Sequence, residues 1–287
     1  MSGSDLTWEQ AVQWLRQQPE HAELVRACYY DDPLLEAAQR FAASEEWAAT
    51  LALLPKRSGR ALDLGAGRGI SSYALALAGW QVTALEPDPS ALVGGGAIRQ
   101  LAADAGLSIQ VVEEYGEKLP FASGAFGLVY GRQVLHHAND LSQLCREVSR
   151  VLQPGGVFVA AREHVISRQE DLSVFLANHA LHRFYGGENA FRLSEYRQAI
   201  LSSGLHIERQ MGPLESAVNY FPMSRQEWRR ACASPLPRIL GPSLADQLLN
   251  EKTAFSRGLL ALASHLKTRM SSAPGRLYSF VARKSAS

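Results

Sequence analysis

Between Arg60 and Ala161 the chain changes texture repeatedly. Short apolar runs at Ala61–Leu64, Gln81–Leu85, Ile109–Val112, Leu128–Tyr130 and Val157–Ala161 alternate with helical patterns at about Ile70–Ala78, Ser90–Ala105 and Asn139–Leu152. A short apolar run bounded by turn signals is a buried strand, and strands alternating with helices form βαβ units around a parallel sheet. Right-handed crossovers place the helices on both faces of that sheet. The carboxyl ends of such strands share one edge, and open α/β sheets bind ligands there.

The flanks read differently. Residues 1–57 are helical, with Pro33 as a helix start and Pro55–Gly59 as a break. After Ala161 comes a polar and aromatic stretch, then a helix over Ser194–Ser203 with Ser194 as its N-cap. Leu205–Met211 reads as a sixth strand, Arg225–Thr268 as mostly helical and Leu277–Ala282 as a last strand. Gly94–Gly96 interrupt a helical stretch, so they either mark the helix start or allow a close backbone approach.

Composition narrows the partners. With 46% hydrophobic residues, the 287-residue chain can bury a sizeable core, and disorder is excluded. Its net charge of +1 gives no basic excess, so a nucleic-acid partner is not expected. No apolar run approaches the ~20 residues a membrane span needs, and Met1–Gln18 lacks a secretory pattern. The three cysteines, Cys28, Cys145 and Cys232, lie far apart without metal-ligand spacing. Reduced thiols, a cytoplasmic location and no bound metal are the expectations.

The strongest local signal is Leu62-Asp63-Leu64-Gly65-Ala66-Gly67-Arg68-Gly69, which leaves a strand and enters a helix. Glycines let the backbone turn tightly and approach a ligand. A nicotinamide-dinucleotide loop would place its third glycine at position 70, which is Ile70. That spacing argues against an oxidoreductase. Glu86 ends the next strand, where a carboxylate accepts hydrogen bonds from ribose hydroxyls. Loop and carboxylate together imply a nucleoside-containing ligand.

Five blocks now stand in order: Ala61–Gly69, Ala84–Asp88, Glu117–Phe121, Val134–His137 and Val151–Gly156. Jointly they resemble the class I S-adenosylmethionine-dependent methyltransferases, and Tyr278–Lys284 resembles that family's last strand. The resemblance covers roughly residues 60–161. It implies a Rossmann-like, seven-stranded, mostly parallel sheet whose last strand runs antiparallel. Residues 1–57 would be an N-terminal helical cap, 58–165 the cofactor-binding core and 166–204 a substrate lid. Residues 205–287 would hold the last two strands, split by a helical insertion at about 218–275. The cofactor would be S-adenosyl-L-methionine, leaving as S-adenosyl-L-homocysteine. Asp63, Gly65, Ala66, Gly67 and Gly69 would hold its methionine part, Glu86 its ribose, and Pro87 would flank the adenine. Gly131 and Gln133 would face its ammonium group. Where the family places an aspartate and a small residue for the adenine amine, this chain has Tyr115-Gly116, with Glu114 or Glu117 as substitutes.

Methyl transfer needs a nucleophile placed behind an electrophilic methyl, and a base only when that nucleophile must lose a proton. His137, His164 and His182 lie at or beyond the carboxyl ends of strands four and five, and are the candidate bases. They read otherwise as capping or surface-loop histidines. Adjacent His136 and His137 on a helix start point apart, so one of them should face the site. Tyr185 and Glu188, in a glycine-containing aromatic stretch, and Asn219 and Tyr220, after strand six, are candidate substrate contacts. The Tyr29–Asp32 turn reads either as a flap over the cofactor or as a solvated turn. The expected acceptor is a small molecule or glycan intermediate methylated on oxygen. A small-molecule N-methyltransferase and a non-catalytic cofactor-binding protein are the alternatives.

Overall fold

The structure is a computed structural model that describes residues 6–56, 58–234 and 253–286. Residues 235–252 of the expected helical insertion lie outside the described residues.

The strands are β1 (Arg60–Leu64), β2 (Gln81–Leu85), β3 (Ile109–Val112), β4 (Phe126–Arg132), β5 (Leu152–Ile166), β6 (Phe191–Arg192), β7 (Leu205–Met211) and β8 (Arg276–Lys284). They form one sheet in the order β3-β2-β1-β4-β5-β8-β7, and the short β6 pairs with β5 beside that path. β1 to β5 are parallel, while β8 is antiparallel to both β5 and β7. This is the expected Rossmann-like arrangement, with one extra two-residue strand.

Before the sheet come α1 (Trp8–Arg16), α2 (Ala22–Ala27), α3 (Leu34–Ala42) and α4 (Glu45–Leu51). Between strands lie α5 (Ile70–Leu77), α6 (Gly95–Ala105) and α7 (Leu141–Val151). After β5 follow α8 (Asp171–Asn178), α9 (His182–Tyr185), α10 (Leu193–Ser202), α11 (Ala217–Tyr220), α12 (Arg225–Ala233) and α13 (Ala254–Met270). α7 starts where the Asp140 side chain accepts from the Gln143 N–H at 2.8 Å, a cap worth about 1 kcal/mol.

Side chains alternate across a strand, and β5 shows what that does. Phe158 and Ala160 join the core under α7 and α10, whereas Val157, Val159 and Ala161 join the core under α3 and α5. A register shift against β8 then falls between Ala160 and Glu163, with Arg162 left-handed at φ 63°. Arg162 turns to the side of Ala161, hydrogen bonding the Val218 carbonyl, and Val165 returns to the core of Phe158. A bulge puts two successive residues on one face and inverts the phase beyond it. Arg162 N–H loses a ladder partner and donates to Ser279 Oγ at 2.9 Å instead.

Three readings need correction. The fifth strand is three times the expected Val157–Ala161 run, so His164 is a strand residue paired with Leu277 and not a loop residue. A strand with neighbours on both sides continues through polar residues that a hydrophobic run cannot show. The helix expected at Ser194 is capped by Arg192, whose backbone N–H bonds Glu195. The Tyr29–Asp32 turn is solvated only in part: Asp32 is exposed, but Tyr29 is buried, and Arg68 donates to the Tyr29 and Asp31 carbonyls at 3.0 Å each. At Gly94–Gly96 both readings hold. The helix begins at Gly95, and a Cβ on Gly94 would lie 2.0 Å from the Asp88 carbonyl oxygen.

Candidate functional site

Register brings the site together. β1 pairs Leu64 with Leu85 on one side and with Gly131 on the other, and β4 pairs Gly131 with Ala160. Gly65 and Glu86 therefore leave the sheet at one edge, where Arg132, the last residue of β4, still pairs with Ala161 of the longer β5.

Over β1 and β2 this edge is mostly main chain. Gly65 and Gly67 have φ of 60° and 54°, a region costly for residues with a Cβ. A Cβ on Gly65 would lie 1.9 Å from Val134 Cγ2, whereas nothing stands within 4 Å of one on Gly67. Gly65 is thus demanded by packing, and Gly67 opens onto free space. The Glu86 carboxylate accepts the Gly67 N–H at 2.7 Å and the Asp88 N–H at 3.1 Å, one on each oxygen. An ionised carboxylate has about four acceptor positions, so two remain for a ribose diol. Burial raises the Glu86 pKa against these two N–H bonds. Asp63 is buried beneath the loop and accepts from Ser72 Oγ at 2.6 Å. Burial first, and then Glu86, push its carboxyl up to about 7 despite the Ser72 bond. Ala66 N–H is spent on the Leu85 carbonyl.

The other cofactor candidates are placed less uniformly. Pro87 continues directly from Glu86 at the edge. Gly116 serves packing, since a Cβ there would lie 2.5 Å from Leu144 Cδ1. Glu117 accepts the Asn139 N–H at 2.9 Å, and Tyr115 is exposed. Gln133 is left-handed at φ 57°, and its Oε1 accepts from Arg132 at 3.0 Å.

Over β4 and β5 the edge is built from side chains. After the bulge, Glu163 points under the turn that follows β4. Its carboxylate accepts the N–H groups of Val134, Leu135 and His136 at 3.2, 3.1 and 3.2 Å, and His136 Nδ1 at 2.7 Å. His136 Nε2 stands 3.7 Å from Glu188 Oε2, and Tyr185 donates its hydroxyl to the other oxygen of Glu188. Burial alone would lower the His136 pKa; the Glu163 and Glu188 carboxylates reverse that and push it to about 9. The His136 ring lies 4.2 Å from His137 and 4.7 Å from His164. Burial and the neighbouring His136 hold His164 down to about 3. His137 Nδ1 bonds the Gly187 carbonyl and His164 Nδ1 the Gly275 carbonyl, each at 3.0 Å. Since carbonyls only accept, both Nδ1 atoms carry the proton.

Of the two histidines after β4, His136 is buried in the cluster, while His137, whose ring lies beside it, is exposed. The turn there is a short 3₁₀ segment whose second and third side chains are tilted by 40° against each other. His182 opens α9, and its Nδ1 is buried without a hydrogen-bond partner. Asn219 and Tyr220 make other contacts. Asn219 Nδ2 donates to the Met211 and Gly212 carbonyls and its Oδ1 accepts from Ser279, while Tyr220 stacks on Trp228.

Sequence reading missed Glu163, Glu46, Arg132 and Arg162. Glu46 on α4 is fully buried, paired with Arg132 at 2.6 Å and 3.7 Å from Arg162. Burial opposes its ionisation, but the two arginines hold its pKa below the ordinary carboxylate value. One signal was available. Arg162-Glu163 directly follow a run of apolar strand residues, and buried charges require partners.

Comparison with known proteins identifies the core. The methyltransferase domain profile matches residues 62–160. Residues 62–160 are therefore a methyltransferase domain, similar to those of the class I S-adenosylmethionine-dependent methyltransferases. The chain is 28% identical over 167 residues to a ubiquinone biosynthesis O-methyltransferase of Methylobacterium sp. (strain 4-46), covering 57% of this chain and 64% of that one. It is 35% identical over 105 residues to a dimethylglycine N-methyltransferase of Parasynechococcus marenigrum, covering 36% of this chain and 37% of that one. The matches thus span less than two thirds of these relatives' lengths. A geranyl diphosphate C-methyltransferase from Streptomyces coelicolor A3(2) superposes with a TM-score of 0.56 at 14% identity, covering 99% of this chain and 90% of that one. Phosphoethanolamine N-methyltransferase 2 of Haemonchus contortus gives 0.54 at 16% identity, covering 92% and 59%. At such identities these likenesses concern the fold alone. Among the described residues, no helix is long and apolar enough to cross a membrane.

Proposed function

We propose that this chain transfers the methyl group of S-adenosylmethionine to an oxygen of a small molecule or glycan intermediate. The cofactor supplies an electrophilic sulfonium methyl, so the protein has to bind, orient and exclude water. The open space over Gly67 and the two unused acceptor positions of Glu86 fit a ribose-bearing ligand. Asp63, Gly65–Gly69, Gly131 and Gln133 are assigned to the amino-acid end, Glu86 to the ribose, and Pro87, Gly116 and Glu117 to the adenine end. Tyr185 and Glu188 are assigned to the acceptor. The lid that carries them is held down by the cap, with Trp8 packed 4.7 Å from Tyr185 and Trp14 4.2 Å from Phe184.

The observation that carries an oxygen acceptor is the tautomer fixed by the Gly187 and Gly275 carbonyls. It leaves a lone pair on Nε2 of His137 and of His164 at the acceptor edge, with His164, held down to about 3, a weak proton acceptor. A hydroxyl must give up its proton for methylation, and such a nitrogen can receive it. His182 sits on the lid as a third candidate. The likeness to a dimethylglycine N-methyltransferase supports a second reading, transfer to the nitrogen of a small amine.

The test is calorimetry with S-adenosylhomocysteine, followed by radiolabelled methyl transfer to small hydroxylated and amine acceptors. Label in hydroxylated acceptors, with kcat reduced at least tenfold in His137→Ala or His164→Ala and cofactor affinity unchanged, is the expected result. Label in amines alone selects the second reading. Cofactor binding without transfer to any acceptor leaves a non-catalytic binding protein.

A further inference from the structure

We infer that His136, His164 and Glu188 form a binding site for a divalent transition-metal ion of the zinc class. One ligand atom of each lies within 4.8 Å of the other two. Five of the chain's eight histidines, at 136, 137, 164, 179 and 182, gather at this one edge and its lid.

Three features separate this cluster from an ordinary hydrogen-bond network. First, both ligand histidines are oriented from behind. His136 Nδ1 faces the Glu163 carboxylate and His164 Nδ1 the Gly275 carbonyl, so Nε2 is the nitrogen each offers a metal ion, which on His136 would displace a proton. Metal-binding histidines are held in this way, with the second ring nitrogen on a carboxylate or carbonyl. Second, Glu188 Oε2 lies 3.7 Å from His136 Nε2 and 3.8 Å from His179 Nε2. Both gaps exceed a hydrogen bond. They are close to the roughly 3.4 Å edge between two ligands of a tetrahedral ion with ~2.1 Å bonds. Third, the remaining Glu188 oxygen is fixed by the Tyr185 hydroxyl, so the carboxylate is oriented as well.

Two imidazoles and a carboxylate suit zinc and its neighbours, whereas magnesium and calcium prefer oxygen ligands throughout. Three protein ligands, with His179 beside them, match metal sites that keep a position for substrate. The role this gives the ion, acidifying an acceptor hydroxyl, rests on the methyl-transfer reading. The site itself does not.

The test uses tag-free, chelator-stripped full-length chain titrated with Zn²⁺, Co²⁺ and Mg²⁺. Zn²⁺ is expected to bind at micromolar or lower concentration and to raise Tm. Co²⁺ should give intense visible absorption from nitrogen-ligated, low-coordinate metal, and Mg²⁺ should do neither. His164→Ala and Glu188→Gln should each weaken Zn²⁺ binding at least tenfold, whereas the His21→Ala/His206→Ala double variant should bind like wild type. Absence of Zn²⁺ binding, equal binding of Mg²⁺, or unchanged affinity in both site variants overturns the inference. If both variants unfold, the wild-type Co²⁺ spectrum decides, and an octahedral all-oxygen spectrum counts against the site. S-adenosylhomocysteine affinity is measured on the same samples. Metal without cofactor overturns the methyl-transfer reading alone, and cofactor without metal overturns this inference alone.

Discussion

Over β1 and β2, the carboxyl edge of the sheet is main chain with one carboxylate; over β4 and β5, it is side chains drawn from distant parts of the chain. Gly67 and Glu86 meet across 19 residues. Arg132 and Glu46 meet across 86, and His164 reaches Gly275 across 111. The first half is a property of one βα turn and the strand beside it. The second exists only when α4, the β5 bulge, the 182–188 segment and β8 are all in place. Backbone strain follows the same division. The left-handed non-glycine residues among those described are Tyr29, Gln133 and Arg162, all beside the second half. Such conformations cost of order 1–3 kcal/mol each and persist where surrounding structure over-determines them.

The largest expected effect tests that dependence. Glu163→Ala removes the acceptor of three backbone N–H groups and the partner of a buried imidazole. Breaking a buried pair from one side costs about 3–5 kcal/mol. Urea unfolding should report a loss of that size, while S-adenosylhomocysteine affinity, measured on the folded fraction, stays within threefold of wild type. A loss under ~1 kcal/mol would show that the second half is not held by its side-chain electrostatics.

Legibility follows the same line. Alternating apolar and helical segments exposed β1 to β4 because each strand is short, buried and bounded by turns. That Asp63, the glycines and Glu86 share one edge was legible because they sit on one βα turn and the end of the neighbouring strand. β5 was not, since its polar second half is supported by β6 and β8 on either side. Glu163 was not, because an unseen bulge decides which face it takes. Glu188 was singled out from local composition, but His136 beside it was passed over for His137, because nothing in the sequence shows that the 3₁₀ turn buries the first histidine and exposes the second. Asn219 looked available from its aromatic surroundings, and it is consumed by tying β7, β8 and α11 together.

Two substitutions sharpen the first half. Gly67→Val puts a branched side chain where nothing stands within 4 Å, at φ 54°. It should cost ~1–2 kcal/mol of stability through the backbone. Calorimetry should show at least 100-fold weaker S-adenosylhomocysteine binding, about 2.7 kcal/mol. Retained affinity would make the loop purely structural. Glu86→Ala should weaken the same binding by about 1.5–3 kcal/mol, as for hydrogen bonds to a charged group. Unchanged affinity would place the ribose elsewhere. Neither variant should alter the His136–Glu163 pair, which the His136 ring NMR signals would report.

The smallest effect is a pH dependence from Asp63, and its two readouts have opposite signs. In the folded, ligand-free chain its carboxyl titrates at about 7, against about 3.9 for an unfolded aspartate. Between those values the folded state holds a proton that the unfolded state has lost. Stability from this group is therefore present at the acid end and declines as pH rises from about 4 to 7. A cofactor whose amino-acid end bears positive charge near Asp63 favours the ionised form instead. Affinity for S-adenosylhomocysteine should then rise roughly tenfold from pH 6 to pH 8, about 1.4 kcal/mol, and level off above. Asp63→Asn should flatten both profiles together. If only the stability profile flattens, Asp63 supports the loop through Ser72 without sensing the ligand. If neither does, another group titrates in that window.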